Sequence, residues 1–393
     1  MKAIAPVRLV GLSSFCSMAS MRMCDPMLPG LGQEFAVTTG EAAHVIAAYT
    51  ISYGVLQLFY GPLGDRVGPL RVIWLATLAS AVLSLMTAGA PSLDALVWAR
   101  AAMGAAAAGI IPLSVAWVGD HVPNAQRQEA LARLMGATVF GMMVGQWFGG
   151  FVTQHWSWRF AFVGLGVLFG LAVLRMHSQL KTLPRFVPPE EPVSLLNYWQ
   201  STLRLLTESR VQWVLGATLA QGALVLGTLA FFPIRLVAHF GFSLSEAGGV
   251  MVLYGVAGLI YSQLARQSVA LLGQKGLAWW GGGLIAGGMG LLALADWPVL
   301  AVLGCTLSGL GFYMMHNTLQ MQATQMAPQA QSMAITLFAC TLFFGQTVGV
   351  SLMARLLDAN GLAEALLVAA AGIVVLCMVI ARGVQSQEKL NPP

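Results

Sequence analysis

The apolar positions of this chain neither alternate nor recur in short amphipathic stretches. They form long runs separated by short segments rich in Gly, Pro and charge. The runs fall near 8–28, 42–62, 71–90, 96–118, 131–153 and 159–176, and again near 211–234, 247–265, 277–295, 298–318, 333–354 and 363–382. Each matches the ~20 residues a helix needs to cross the hydrocarbon of a bilayer. The pattern therefore predicts an all-α membrane protein with twelve transmembrane helices in two halves of six. Between the halves, "HSQLKTLPRFVPPEEP" holds Pro184, Pro188, Pro189 and Pro192 and reads as a linker. The following "VSLLNYWQSTLRLL" spaces its apolar residues as an amphipathic helix on the membrane surface does. The expected organisation is a first half over 1–178, a cytoplasmic linker over 179–209 and a second half over 210–393.

The halves resemble each other. "YGVLQLFYGPL" (53–63) aligns with "YGVAGLIYSQL" (254–264), pairing Tyr53 with Tyr254. "VGQWFGG" (144–150) aligns with "FGQTVGV" (344–350), pairing Gln146 with Gln346, and Pro123 and Ala125 match Pro328 and Ala330. Repeated halves in parallel orientation are an architecture of secondary transporters, with a site between them at mid-membrane. Lys and Arg fix the orientation. With both termini cytoplasmic, fifteen lie in cytoplasmic segments, Arg159, Arg235 and Arg355 lie outside, and Arg22 and Arg100 are left in the membrane. The start of the chain has features of a signal peptide, but the apolar run continues to Leu28, so a retained first helix is expected.

Composition agrees. Hydrophobic residues are 57% and charged residues 9% of the 393, far too little charge to cover a soluble protein of this length. The net charge of +5 is scattered between apolar runs, which argues against nucleic acid as a partner. Cys16, Cys24, Cys305, Cys340 and Cys377 all fall inside apolar runs without metal-ligand spacing and read as buried thiols. No Walker loop, Rossmann glycine pattern or nucleophile constellation is present, so neither an enzyme nor a cofactor is expected.

Four motifs give the chain a family resemblance. "GPLGDRVGPLR" (61–71) resembles the loop between the second and third spans of the major facilitator superfamily, at Gly61, Leu63, Asp65, Arg66 and Gly68. Gly61 would let helices approach, Gly68 would permit a tight turn, and Asp65 would meet a helix N-terminus and a cation as part of a gate. The basic residues usual after the second glycine are replaced by Pro69 and Leu70, with Arg71 following. "ALVWARAAMGAAAAG" resembles the fourth-span motif, at Arg100 and Gly104. The resemblance links Arg100 to proton coupling, whereas an arginine snorkelling to the interface near Trp98 is the plainer alternative. "GMMVGQWFGG" (141–150) resembles the fifth-span antiporter motif at Gly141, Gly145, Gly149 and Gly150, with Gln146 in place of a proline; small residues at this spacing also simply pack helices closely. "DPMLP" (25–29) resembles the acidic motif of the drug:proton antiporter branch.

Asp25 is the only acidic residue placed within a span, and such a carboxylate is costly unless it faces a cavity or a partner. Arg22, one turn earlier, is one candidate partner and Arg100 the other. A position at the outer interface is the alternative. Tyr49, Tyr53 and Gln57 share a face of the second span, which suits a cavity wall or interhelical hydrogen bonding. Tyr254, Gln146 and Gln346 join the cavity list, and "GFYMMHNTLQMQ" adds His316 and Asn317 at mid-span. No second His stands near, so no metal is expected. The resemblance implies a proton-coupled exporter of a drug or metabolite working by alternating access, monomeric and multi-pass in the inner membrane. The alternative is an importer or uniporter of small organic anions, since two arginines against one aspartate make the cavity positive.

Overall fold

The computed structural model describes residues 4–180 and 195–390, which are helical nearly throughout, with no strand among them. The prolines of the predicted linker lie outside the described residues. Nine of the described helices are long and apolar enough to cross a membrane. One of these, the 51-residue Leu244–Leu294, folds back on itself at Gly273 (φ 62°, ψ 178°) and makes two crossings. With the first helix and the long Asn124–His155, the count reaches the twelve read from the sequence.

The first crossing is broken. Helix α1 (Ile4–Arg22) stops at Arg22, a 3₁₀ turn runs over Asp25–Met27, and α2 (Leu28–Phe35) continues. Pro26 and Pro29 lack the N–H groups that would continue the ladder of α1, and each stands where a new helical turn starts. The expected uninterrupted span over 8–28 is corrected accordingly. The second crossing joins α3 (Thr39–Ala42) to α4 (His44–Val67), and α5 (Pro69–Ala88) is the third. α6 (Leu93–Ala107) and α7 (Ile110–His121) form the fourth, α8 (Asn124–His155) the fifth and α9 (Trp158–Leu180) the sixth. α10 (Leu195–Leu205) occupies the predicted amphipathic stretch. The second half holds α11 (Ser209–Gln221), a π turn over Gly222–Gly227, α12 (Phe232–Phe240), α13 (Leu244–Leu294), α14 (Pro298–Met326), α15 (Gln331–Asn360) and α16 (Leu362–Leu390).

The repeat is visible in the packing. A Cβ on Gly145 or Gly149 of α8 would collide with the backbone of Ala19 in α1 or of Met23 just past its end, and one on Gly345 or Gly349 of α15 with Leu219 or Ala223 of the seventh crossing. The same two helices cross at the same glycines in both halves. Gly104 packs on the backbone of Tyr49, and Gly309 on that of Tyr254. The structural counterpart of Tyr254 is therefore Tyr49, one helical turn from the Tyr53 that sequence alignment selects. Matching capping boxes, Thr38 with Glu41 and Ser243 with Glu246, start the second crossing of each half.

The halves meet along two seams. On one, the Thr38 hydroxyl donates to Asp358 Oδ2 (3.0 Å), Thr50 and Thr347 share a hydrogen bond (2.8 Å), and Gly54 lies against Cys340 and Phe343. On the other, Ser245 N–H donates to Gln154 Oε1 (2.8 Å), while Gly248 lies against Gln146 and Gly255 against Met143. All these contacts run from the end holding Thr38 to about the middle of the helices. At the other end, which carries the 61–71 loop, α10 bridges the halves. Its Tyr198 hydroxyl donates to the Leu58 carbonyl (3.3 Å), Trp199 packs on Phe59, and Thr202 reaches Met333 Sδ (3.2 Å).

Candidate functional site

The break in the first crossing builds the site. With α1 ending at Arg22, the carbonyls of its last turn lose their i+4 partners. Arg100 Nη1 donates to one of them, Ser20 O, at 3.0 Å. Its guanidinium also lies over the Tyr49 ring, 4.0 Å from the centroid, and is fully buried. A cation at a helix C-terminus is stabilised by the helix dipole and by an aromatic face. Arg100 thus closes the broken helix rather than snorkelling to an interface.

Asp25 starts the 3₁₀ turn and is 0% exposed, enclosed by protein on all sides. Oδ2 lies 3.2 Å from Arg22 Nη1 and accepts a hydrogen bond from Gln146 Nε2 at 3.1 Å. Oδ1 has no protein partner. The three-residue spacing brings Arg22 onto the carboxylate within its own segment. Gln146 arrives from α8 because Gly145 and Gly149 let that helix lie against α1. Arg100 is held at Ser20 instead and forms no ion pair with Asp25 among the described residues.

The tyrosine stripe lies at the boundary between the halves. Tyr49 and Tyr53 stack at 6.0 Å, Tyr53 meets Phe343 of α15 edge-on at 4.9 Å, and buried Gln57 leaves its Oε1 unpartnered. Across the seam, Tyr254 is buried with its hydroxyl unpartnered. His316 Nδ1 shares a hydrogen bond with Gln221 Oε1 (3.0 Å) and the ring stacks on Phe312 at 5.1 Å. Asn317 instead donates to the Tyr261 hydroxyl (2.8 Å), a bond between α14 and α13 within one half. Gln346 is buried, with its Nε2 unpartnered. No His, Cys, Asp and Glu grouping among the described residues could hold a metal ion.

A family model for the Major Facilitator Superfamily matches residues 10–350. The chain belongs to this superfamily. Among curated relatives, YybF, an MFS-type transporter of Bacillus subtilis (strain 168), is 24% identical over 176 residues, 45% of this chain and 44% of its own. The multidrug efflux pump LfrA of Mycolicibacterium smegmatis (strain ATCC 700084 / mc(2)155) is 27% identical over 220 residues, 54% of this chain and 41% of its own. The match thus spans less than half the length of these relatives. YceJ of Bacillus subtilis (strain 168), also an MFS-type transporter, is 23% identical over 342 residues, 84% of this chain and 83% of its own. In fold, a mutant of the nucleoside transporter NupG superposes with a TM-score of 0.81 at 15% identity, covering 97% of this chain and 99% of that one. The human organic anion transporter MFSD10 superposes at 0.72 and 15% identity, covering 97% and 100%.

As a major facilitator protein the chain is multi-pass, and its 61–71 segment joins the second crossing to the third. Gly68 adopts φ 97°, a turn that favours glycine, and Pro69 starts α5 directly after it. Gly61 differs from expectation: a Cβ there would meet nothing, and the close approach is made by Gly64 against Leu113. Asp65, Arg66 and Arg71 are exposed, and none forms an ion pair among the described residues. The charged neighbour that acts on Asp65 is another carboxylate, Asp120. Among the described residues Asp65 makes neither the expected cation pair nor a hydrogen bond to a helix N-terminus. Sequence reasoning missed Ser20, Gln221 and the Thr38–Asp358 bond. Pro26 and Pro29 signalled the helix break that frees Ser20; the other two carry no local signal.

Proposed function

We propose that this chain is a proton-coupled secondary transporter that exports a small molecule, a drug or metabolite, by alternating access. The observation that carries the reading is Asp25, a buried carboxylate at a helix break beside the seam, held by Arg22 and Gln146 and with one oxygen free. Such a group binds and releases a proton as its surroundings change. Residues 1–178 and 210–393 are the moving halves, 179–209 the connection. The Lys/Arg distribution sets both termini in the cytoplasm of an inner-membrane protein. The 61–71 loop then faces the cytoplasm, at the end where α10 bridges the halves. The export direction is supported by the Gly141–Gly150 motif and by similarity to the efflux pump LfrA.

A second reading, an importer or uniporter of small organic anions, is favoured by the two buried guanidiniums set against one buried carboxylate. The test uses protein reconstituted in vesicles carrying a pH-sensitive dye, challenged with cationic, neutral and anionic compounds. Export by antiport predicts that a substrate moves protons against its own direction. Proton flow in the substrate's direction supports the second reading, and no substrate-dependent proton movement contradicts proton coupling.

A further inference from the structure

Pro62 stands inside α4 and has no N–H to give the carbonyl four residues back, that of Leu58. Within a membrane a backbone carbonyl without a donor is costly. Leu58 O has a donor from outside its own helix: the Tyr198 hydroxyl of α10, at 3.3 Å. The next residue on each side adds a ring contact, Trp199 with Phe59 at 5.0 Å between centroids. Both contacts fall on the first half. The other attachments of α10 belong to the second half. Thr202, 3% exposed, reaches Met333 Sδ of α15 at 3.2 Å. Only residues 206–208 separate α10 from α11, and Gln212 Nε2 pins that turn by donating to Leu206 O at 3.0 Å. Direct contact along this seam ends just before α10. Thr50 meets Thr347 and Tyr53 meets Phe343. From Gly54 toward the 61–71 end, no hydrogen bond, ion pair or ring contact joins α4 to α15 among the described residues.

We propose that α10 is an arm of the second half that docks on the first half through the acceptor Pro62 creates, and that it lets go when the halves shift against each other at the 61–71 end. One hydrogen bond and one ring contact hold it to α4, whereas a short covalent turn holds it to α11, so the break falls on the side of α4. The proline makes the dock reusable. With α10 away, Leu58 O has no helical donor four residues on and remains the acceptor to which the Tyr198 hydroxyl returns. Docking thereby biases the molecule toward the described arrangement. The arm needs no particular substrate and no proton; it rests on the alternating-access reading only in taking the halves to move.

The test uses the purified full chain in detergent, spin-labelled at Ser201→Cys of α10. Its pair is Ala125→Cys of α8 in the first half, or Ser332→Cys of α15 in the second. All three positions are exposed and the five native cysteines are buried. The distances are read without substrate, so their outcome does not depend on transport. Tyr198→Phe should raise the ratio of long to short 201–125 distances about fivefold, the effect of one net hydrogen bond, and leave the 201–332 distance unchanged. Pro62→Ala supplies the missing N–H, so Leu58 O keeps a partner when Tyr198 leaves, and the ratio should rise again. Both substitutions act on one bond, so Tyr198→Phe should add little in the Pro62→Ala background. Trp199→Ala acts on the separate Phe59 contact and should add its full effect. Pro62→Ala restores an ordinary helix and decides the matter if Tyr198→Phe does not fold. Distances unmoved by both Tyr198→Phe and Pro62→Ala, or full additivity of the two, would overturn the proposal. A 201–332 distance that lengthens as well would show α10 leaving both halves and would overturn it equally.

Discussion

Arg22 and Asp25 stabilise each other where neither is tolerable alone. Truncating one partner of a buried pair leaves the other uncompensated, with typical losses of about 3–5 kcal/mol. Arg22→Ala is expected to fall at the low end, because Asp25 can neutralise by taking a proton. It should therefore lower the thermal midpoint before it alters transport. Adding Asp25→Asn should recover most of that loss; a double-mutant cycle with no coupling would refute the pairing. The pair was legible in "MRMCDPMLP" because three-residue spacing is local. Gln146, 121 residues from Asp25, was legible only as a cavity candidate, since its partner depends on how α8 crosses α1. The capping of Ser20 by Arg100 was illegible for the same reason: a freed carbonyl leaves no mark in the residue that bears it.

At the scale of elements, apolar run length gave the twelve crossings, and glycine spacing marked α8 as a closely packed helix without naming α1 as its neighbour. The junction of the eighth and ninth crossings lies in the gap between the runs near 247–265 and 277–295, where Gly273 at φ 62° turns the chain. The repeat register was misjudged by one turn, because tyrosines at both Tyr49 and Tyr53 offered a match and only the packing of Gly104 and Gly309 decides between them. Gly149 and Gly61 make opposed predictions. Gly149→Ala drives a Cβ into the Met23 carbonyl and should cost about 1–3 kcal/mol by overpacking. Gly61→Ala meets open space inside a helix and should be neutral or stabilising by up to about 1 kcal/mol. Thermal unfolding of the two variants checks this, and equal destabilisation would contradict the assignment of the close approach.

At the scale of the molecule, the seam contacts described above run from the Thr38 end to the middle, and α10 bridges the halves at the 61–71 end. Under the proposed alternating access the reverse arrangement also occurs, and Asp65 is expected to find there the partners it lacks here. Asp65→Asn should then greatly reduce transport yet leave ligand affinity within about tenfold, or ~1.4 kcal/mol; parallel loss of both in a folded variant would refute the gating role. Thr38→Val removes the hydroxyl that bonds Asp358 and should shift the population toward opening at that end, read as a longer distance between spin labels placed there. An unchanged distance distribution would deny the latch. The most direct test of the whole account is transport by Asp25→Asn in vesicles with an imposed pH gradient. The account predicts that gradient-driven movement is abolished while the protein remains folded and downhill exchange persists; undiminished gradient-driven transport would contradict it.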